Sequence, residues 1–140
     1  MDCRVEATTP TEQARAAILA GLTEFNTSNG YPSDFQQVAV VLRGVDDEIL
    51  GGLWGKTVYD WMFVEYLIVP EALRGHDFGA QLMKAAEAIA MERGCVGAWL
   101  TTFSFQARGF YEKLGYRVFG ELENSPDDNV RIFMRKRFAR

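Results

Sequence analysis

Apolar residues recur along the chain with two different periods, and the switches between them mark the elements. Ala14, Ala17, Ile18, Gly21, Leu22 and Phe25 form one stripe at helical spacing and predict an amphipathic helix ending near Asn29-Gly30. Thr9 as N-cap, Pro10 at the first helical position and Glu12 mark its start. Ahead of it, residues near 3–7 predict a first strand. From about residue 36 the period changes. Gln37 to Arg43 is β-rich, and Val45-Asp46-Asp47-Glu48 reads as a turn. Ile49 to Tyr59 and Trp61 to Val69 follow as two more strands with a tight reversal around Asp60, completing an antiparallel meander. Trp61-Met62-Phe63-Val64 and Leu67-Ile68-Val69 leave no polar face, which predicts a mid-sheet strand covered above and below.

Pro70 closes that strand, and a loop leads to Arg74-Gly75-His76-Asp77-Phe78-Gly79. A long helix begins there, with Leu82, Met83, Ala86, Ile89 and Ala90 on one face and Gly94 as its stop. Val96 to Thr102 predicts a strand. Ala107, Phe110, Tyr111 and Leu114 predict a short helix stopped by Gly115. Tyr116 to Glu123 and Val130 to Arg137 then predict a hairpin around Asn124-Ser125-Pro126-Asp127-Asp128. The order β-α-β-β-β-α-β-α-β-β contains one right-handed parallel crossover among antiparallel neighbours. The expected fold is therefore α/β (α+β): one domain over residues 1–140, built on a mixed, mostly antiparallel sheet of about six or seven strands with helices on both faces.

Composition narrows the chemistry. At 140 residues, 48% hydrophobic and 24% charged, the chain is an ordinary globular domain. Its net charge of -4 gives no electrostatic case for nucleic acid or an anionic membrane. The basic tail, Arg131, Arg135, Lys136, Arg137 and Arg140, alternates with Ile132, Phe133, Met134 and Phe138 and reads as a last strand kept soluble by cations. Cys3 and Cys95 make no disulfide framework, and a single histidine leaves almost no material for a metal site or a Ser-His-Asp triad. No signal pattern opens the chain and no apolar run approaches a membrane span, so a cytoplasmic location is the default expectation.

Gly75 and Gly79 flank a loop between a buried strand and a helix N-terminus. Backbone N–H groups lack partners there, and the helix dipole favours an anion. A phosphate or pyrophosphate fits such a loop, with Arg74 adding a charge-assisted hydrogen bond. Gly51-Gly52-Leu53-Trp54-Gly55-Lys56-Thr57 resembles a P-loop but has Leu50 where the first glycine belongs, and it lies inside a strand pattern.

About thirty residues beyond the loop stand Ser104, Ala107, Phe110, Tyr111 and Gly115-Tyr116. With both segments in view, the chain resembles the GNAT superfamily of N-acetyltransferases. That family's loop reads Arg/Gln-x-x-Gly-x-Gly/Ala, and its later segment reads Asn-x-x-Ala-x-x-Phe-Tyr-x-x-x-Gly-Phe/Tyr. Two departures stand out: Asp77 replaces the middle loop glycine, and Ser104 replaces the asparagine. The resemblance implies acetyl-CoA, or another acyl-CoA, as co-substrate, no metal, and a small-molecule or peptide amine as acceptor. Dimerisation is common in the family, and nothing in the sequence identifies an interface. Carried over residue by residue, Leu67, Ile68 and Val69 would flank the pantetheine arm. Arg74, Gly75, His76, Phe78 and Gly79 would line the pyrophosphate. Ser104, Ala107 and Phe110 would complete the cofactor site.

Aminolysis of a thioester needs a neutral amine, a stabilised oxyanion and a proton for the thiolate. An aliphatic amine titrates near 10.4 and must lose a proton before it attacks. Glu65, the one charged residue of its strand, is the candidate base or base relay, and burial there would raise its pKa. The plain alternative is a carboxylate that meets solvent or pairs with an arginine. Tyr111 is the candidate proton donor. Transfer from a phenol near 10 to a thiolate of about 8.5 is uphill by roughly 2 kcal/mol, small beside the roughly 7–11 kcal/mol available from positioning. Tyr31, Trp54, Tyr59, Trp61, Phe103 and Phe105 are candidates for an aromatic acceptor wall, or for core. Two other readings stay open: an acyl-CoA-binding module without turnover, and an interaction domain reusing the fold.

Overall fold

A computed structural model describes residues 2–139. The chain divides at Ser33/Asp34 into two units. The first holds helix α1 (Glu12–Ser28), capped by Thr11, whose side chain accepts from the Ala14 amide at 3.1 Å. The cap lies two residues beyond the expected Thr9. Thr11 is itself extended (φ -131°, ψ 158°), so its hydroxyl meets the amide of the third helical residue, the geometry a cap requires. The strand expected near 3–7 is not formed; a lone extended stretch has no ladder to complete, and Val5 is fully exposed. Ile18, Leu22 and Phe25 of the α1 stripe are exposed as well.

The second unit is a six-stranded sheet with two α-helices and a short 3-10 turn at Glu71–Leu73 among its described residues. Its strands are β1 (Gln36–Arg43), β2 (Ile49–Val58), β3 (Trp61–Ile68), β4 (Gly97–Phe103), β5 (Arg117–Leu122) and β6 (Arg131–Arg137), in the order β1-β2-β3-β4-β6-β5. Only β3 and β4 run parallel. Helix α2 (Phe78–Glu92) makes the crossover between them, and α3 (Arg108–Lys113) joins β4 to β5. The mixed, mostly antiparallel sheet is the one the element order implied.

Register explains the core. Val38, Gly55, Val64, Leu100, Met134 and Val118 stand opposite one another in successive pairings. Leu53, Met62, Ala98 and Ile132 share their face by the period of two. Against this face α2 buries Leu82, Met83, Ala86 and Ala90 at helical spacing, touching β1 to β4. On the other side of β3, Phe63 stacks on Trp99 with ring centroids 4.1 Å apart, and the Lys56 and Arg137 cations lie over Phe63 and Trp61. Burial on both sides of β3 holds only as far as Val64, since Tyr66 and Ile68 are exposed. The reason is a bulge. Trp54 faces Tyr66 while Gly55 faces Val64, so Glu65 is an extra residue with no partner on β2. A bulge bends its strand, and beyond it β3 stays paired with β2 while its ladder with β4 stops. Gly55 permits the approach, because a Cβ there would run into the Phe63 carbonyl oxygen. The glycine-rich stretch that resembled a P-loop thus serves strand packing.

Candidate active site

Downstream of the bulge β3 and β4 part. Their ladder runs from Trp61↔Gly97 to Val64↔Leu100 and stops. Beyond it, Glu65 to Ile68 on one side and Thr101 to Phe103 on the other diverge around a cavity of about 1000 Å³. By the strand alternation, its lining includes Val64, Leu100 and Thr102 from the α2 face and Thr101, Phe103 and Arg131 from the opposite face. The opening therefore passes through the plane of the sheet.

At one end lies the glycine loop. Gly75 (φ 84°) and Asp77 (φ 69°) are both left-handed. Aspartate tolerates that conformation better than most residues, which explains how it stands where the resembled motif has glycine. The first internal bond of α2 is Gln81 N–H to the Asp77 carbonyl at 3.1 Å. Among the described residues, no hydrogen bond uses the amides of residues 75–80 as donors. A Cβ at Gly75 would meet open space. Free amides at a helix N-terminus beside open volume can hold an anion. Arg74 is anchored by its Nε, which donates to the Val69 carbonyl at 3.1 Å. Gly79 sits against Phe110, where a Cβ would lie 3.0 Å from the ring. Small size at residue 79 lets α3 close on α2.

Most residues singled out from the sequence meet in this cavity: Glu65, Leu67, Ile68, Val69, Arg74, Gly75, Phe78, Gly79, Ala107, Phe110 and Tyr111. His76 and Ser104 are not among the lining. The Ser104 hydroxyl donates to Asn129 Oδ1 at 3.0 Å and accepts from the Val130 amide at 2.9 Å, so it ties the β4–α3 loop to the loop before β6. For Glu65 the sequence left burial and exposure both open, and the carboxylate is partly exposed. Its side chain keeps 27% exposure and stands 4.0 Å from Lys56 Nζ, on the residue that the bulge leaves without a β2 partner. Of the proposed aromatic wall, Phe103 and Phe105 line the cavity, stacked 5.3 Å apart. Thr101, Gln106 and Arg131 also line it and went unnoticed in the sequence as cavity residues. Gln106 accepts from the Phe103 amide through Oε1 at 2.9 Å, a side-chain closure of the loop that has no periodic signal.

Tyr111 reaches the cavity from α3. Burial holds its phenol above the ordinary value near 10. Among the described residues, no protein group hydrogen-bonds its hydroxyl. Its ring meets Phe110 at 5.0 Å and Tyr116 at 6.1 Å, both edge-on. Tyr116 in turn donates to Glu87 Oε2 at 2.8 Å, and Lys136 Nζ donates to Glu87 Oε1 at 2.8 Å. This buried cluster forms the wall behind Tyr111. Burial first, and then the Glu87 charge, push the Tyr116 phenol far up.

A prediction follows for alkaline pH. Raised tyrosine pKa values contribute stability that is complete below about pH 10 and is lost as pH rises beyond it, since the unfolded chain ionises first. Unfolding free energy from urea titrations should fall by up to about 1.4 kcal/mol per pH unit per buried tyrosine above pH 10. Tyr116→Phe should make that limb shallower, and an unchanged slope would contradict the assignment.

Comparison with known proteins agrees with this geometry. The acetyltransferase (GNAT) family model matches residues 11–116. An acetyltransferase of Agrobacterium fabrum is 33% identical over 126 residues, covering 90% of this chain and 92% of that protein. The blasticidin-S acetyltransferase of Streptomyces morookaense is 39% identical over 84 residues, 59% of this chain and 62% of that protein. A crystal structure of an acetyltransferase from Bacillus cereus superposes with a TM-score of 0.83 at 30% identity, covering 96% and 98% of the two chains. Solved structures of the same fold at 24% identity include complexes with coenzyme A and with acetyl-coenzyme A, a likeness of fold alone. Wedge, loop and relatives agree, and the chain belongs to the GNAT family of acetyltransferases.

Proposed function

We propose that this chain is an acyl-CoA-dependent N-acyltransferase, moving acetyl from acetyl-CoA to a primary amine of a small molecule or peptide by direct attack in a ternary complex. The observation that carries the reading is the wedge beyond Val64↔Leu100, which meets the glycine loop at Gly75, Phe78 and Gly79 in one cavity. The family match runs across the division at Ser33/Asp34, which supports treating residues 1–140 as one N-acetyltransferase domain.

In this reading the amides of 75–80 and Arg74 hold the diphosphate. The open edges of β3 and β4 hold the pantetheine arm, and main-chain groups near Leu67 to Val69 face the thioester. Glu65 takes one proton from the acceptor's ammonium and passes it to water. The amine nitrogen bonds to the thioester carbon as the carbonyl electrons move to oxygen. Collapse breaks the C–S bond, and sulfur keeps the electron pair and takes the Tyr111 proton. The nitrogen's surplus proton restores the phenol, so amide, free thiol and one released proton balance the amine cation and thioester consumed. His76 lies within the loop, its side chain outside the cavity lining, so it contributes through its amide, and the Ser104 contribution becomes indirect, through the loop it ties.

Calorimetry with acetyl-CoA tests the cofactor half. Wild type should bind, and Arg74→Ala should bind roughly 10- to 100-fold more weakly, the worth of hydrogen bonds to a charged group. Absence of any binding heat in the wild type would remove the reading. Thiol release across a panel of amines tests transfer, and binding without release from any amine would leave an acyl-CoA-binding module.

A further inference from the structure

We infer that the acceptor is an amine that also carries a carboxylate, and that Arg131 is the residue that selects it. The inference rests on the transferase reading above and deepens it. Among the described residues, three charged ones line the cavity: Glu65, Arg74 and Arg131. Arg74 stands beside the glycine loop, and Glu65 already has the Lys56 ammonium 4.0 Å away. Arg131 stands on the sheet face opposite α2, in register with Phe103 on β4. Its Nε and Nη2 both donate to Thr101 Oγ1, at 3.2 and 3.0 Å. Its guanidinium lies over the rings of Phe103 and Phe133, at 5.5 and 5.9 Å. Among the described residues it forms no ion pair.

These contacts fix the plane of the guanidinium and leave much of its donor fork unused. A half-buried cation without a counter-charge is costly to hold, and a planar fork matches a carboxylate in two parallel hydrogen bonds. Arg131 brings one positive charge, which a monoanion balances; a dianionic phosphate would need a second free cation. A polycationic acceptor would meet Arg131 with nothing to neutralise it. The aromatic pair Phe103–Phe105 supplies the apolar lining between the carboxylate and the amine.

The test uses the whole chain and amines matched except for the carboxylate: 6-aminohexanoate against pentylamine, and lysine against cadaverine, with O-phosphoethanolamine as the dianionic arm. Thiol release by the wild type should show kcat/KM at least about tenfold higher for the carboxylated member of each pair, the scale of one charge-assisted pair. In Arg131→Met that ratio should fall towards one, carried by KM, while acetyl-CoA affinity stays put. Arg131→Lys should restore part of the ratio. Thermal stabilisation reads the subsite without turnover: 6-aminohexanoate should raise the melting temperature of the wild type more than pentylamine does, and the difference should vanish in Arg131→Met. Equal rates and equal thermal shifts for matched pairs in the wild type overturn the inference, whether or not Arg131→Met folds. So does a stronger preference for O-phosphoethanolamine than for the carboxylated amines. Failure of acetyl-CoA to bind is a separate result that strikes the transferase reading, because the thermal shifts do not depend on it.

Discussion

Tyr111→Phe is expected to lower kcat for acetyl transfer by roughly 10²- to 10⁴-fold, the range for a positioned general acid, with acetyl-CoA affinity held within about twofold. The phenylalanine keeps the edge contacts to Phe110 and Tyr116, so the substitution removes an oxygen without opening a void. No protein hydrogen bond is broken, since the hydroxyl has no partner among the described residues. The loss should therefore appear in kcat, where proton delivery to the departing thiolate counts, and hardly in binding. Because burial raises the phenol above 10, the wild-type rate should also show no falling limb between pH 7 and 10. Single-turnover kinetics across pH would check both points. A Tyr111→Phe enzyme within threefold of wild type would transfer the donor role to water.

The largest expected stability effect lies behind that tyrosine. Glu87 is 9% exposed along its side chain and is held by Lys136 Nζ and the Tyr116 hydroxyl. Lys136→Met leaves the carboxylate in the core with one neutral donor. The expected cost is roughly 3–5 kcal/mol, the usual penalty for stranding one member of a buried pair. Lys136 itself is 28% exposed, so Glu87→Gln, which leaves a cation that can reach water, should cost less. Replacing all three partners with apolar residues, Glu87→Leu, Lys136→Met and Tyr116→Phe together, should recover most of the loss. Urea unfolding at neutral pH measures all of these. A Lys136→Met protein within 1 kcal/mol of wild type would mean that water reaches Glu87.

Much of this was legible in the residues because period and punctuation agree. The meander from Gln36 to Ile68, the crossover through α2 and the closing hairpin follow from alternation, from Pro70, and from Gly94 and Gly115 at their helix ends. The glycine loop and the Phe110-Tyr111 pair carried the site, because their chemistry is local. What escaped was non-local. The bulge at Glu65 arises from the pairing of two strands, so no window of sequence contains it, and it sets that carboxylate at the residue with no partner on β2. Arg131 read as a solubilising charge on a last strand. Only the pairing of β6 with β4 brings it to the cavity. Thr9 and Thr11 offer similar caps two residues apart, and periodicity does not choose between them.

The wedge has a bearing on how such a site can change. Four residue pairs join the β1-β2-β3 half of the sheet to the β4-β6-β5 half. Each further pair would close about 3.3 Å of the gap, so room for the cofactor is set by a count of pairings and inherits the stiffness of the strands. The loop over residues 123–130 stands outside that count. It is free to lengthen, shorten or exchange side chains away from its tie to Ser104, and a descendant could acquire a new acceptor while its grip on the acyl donor stays as it was.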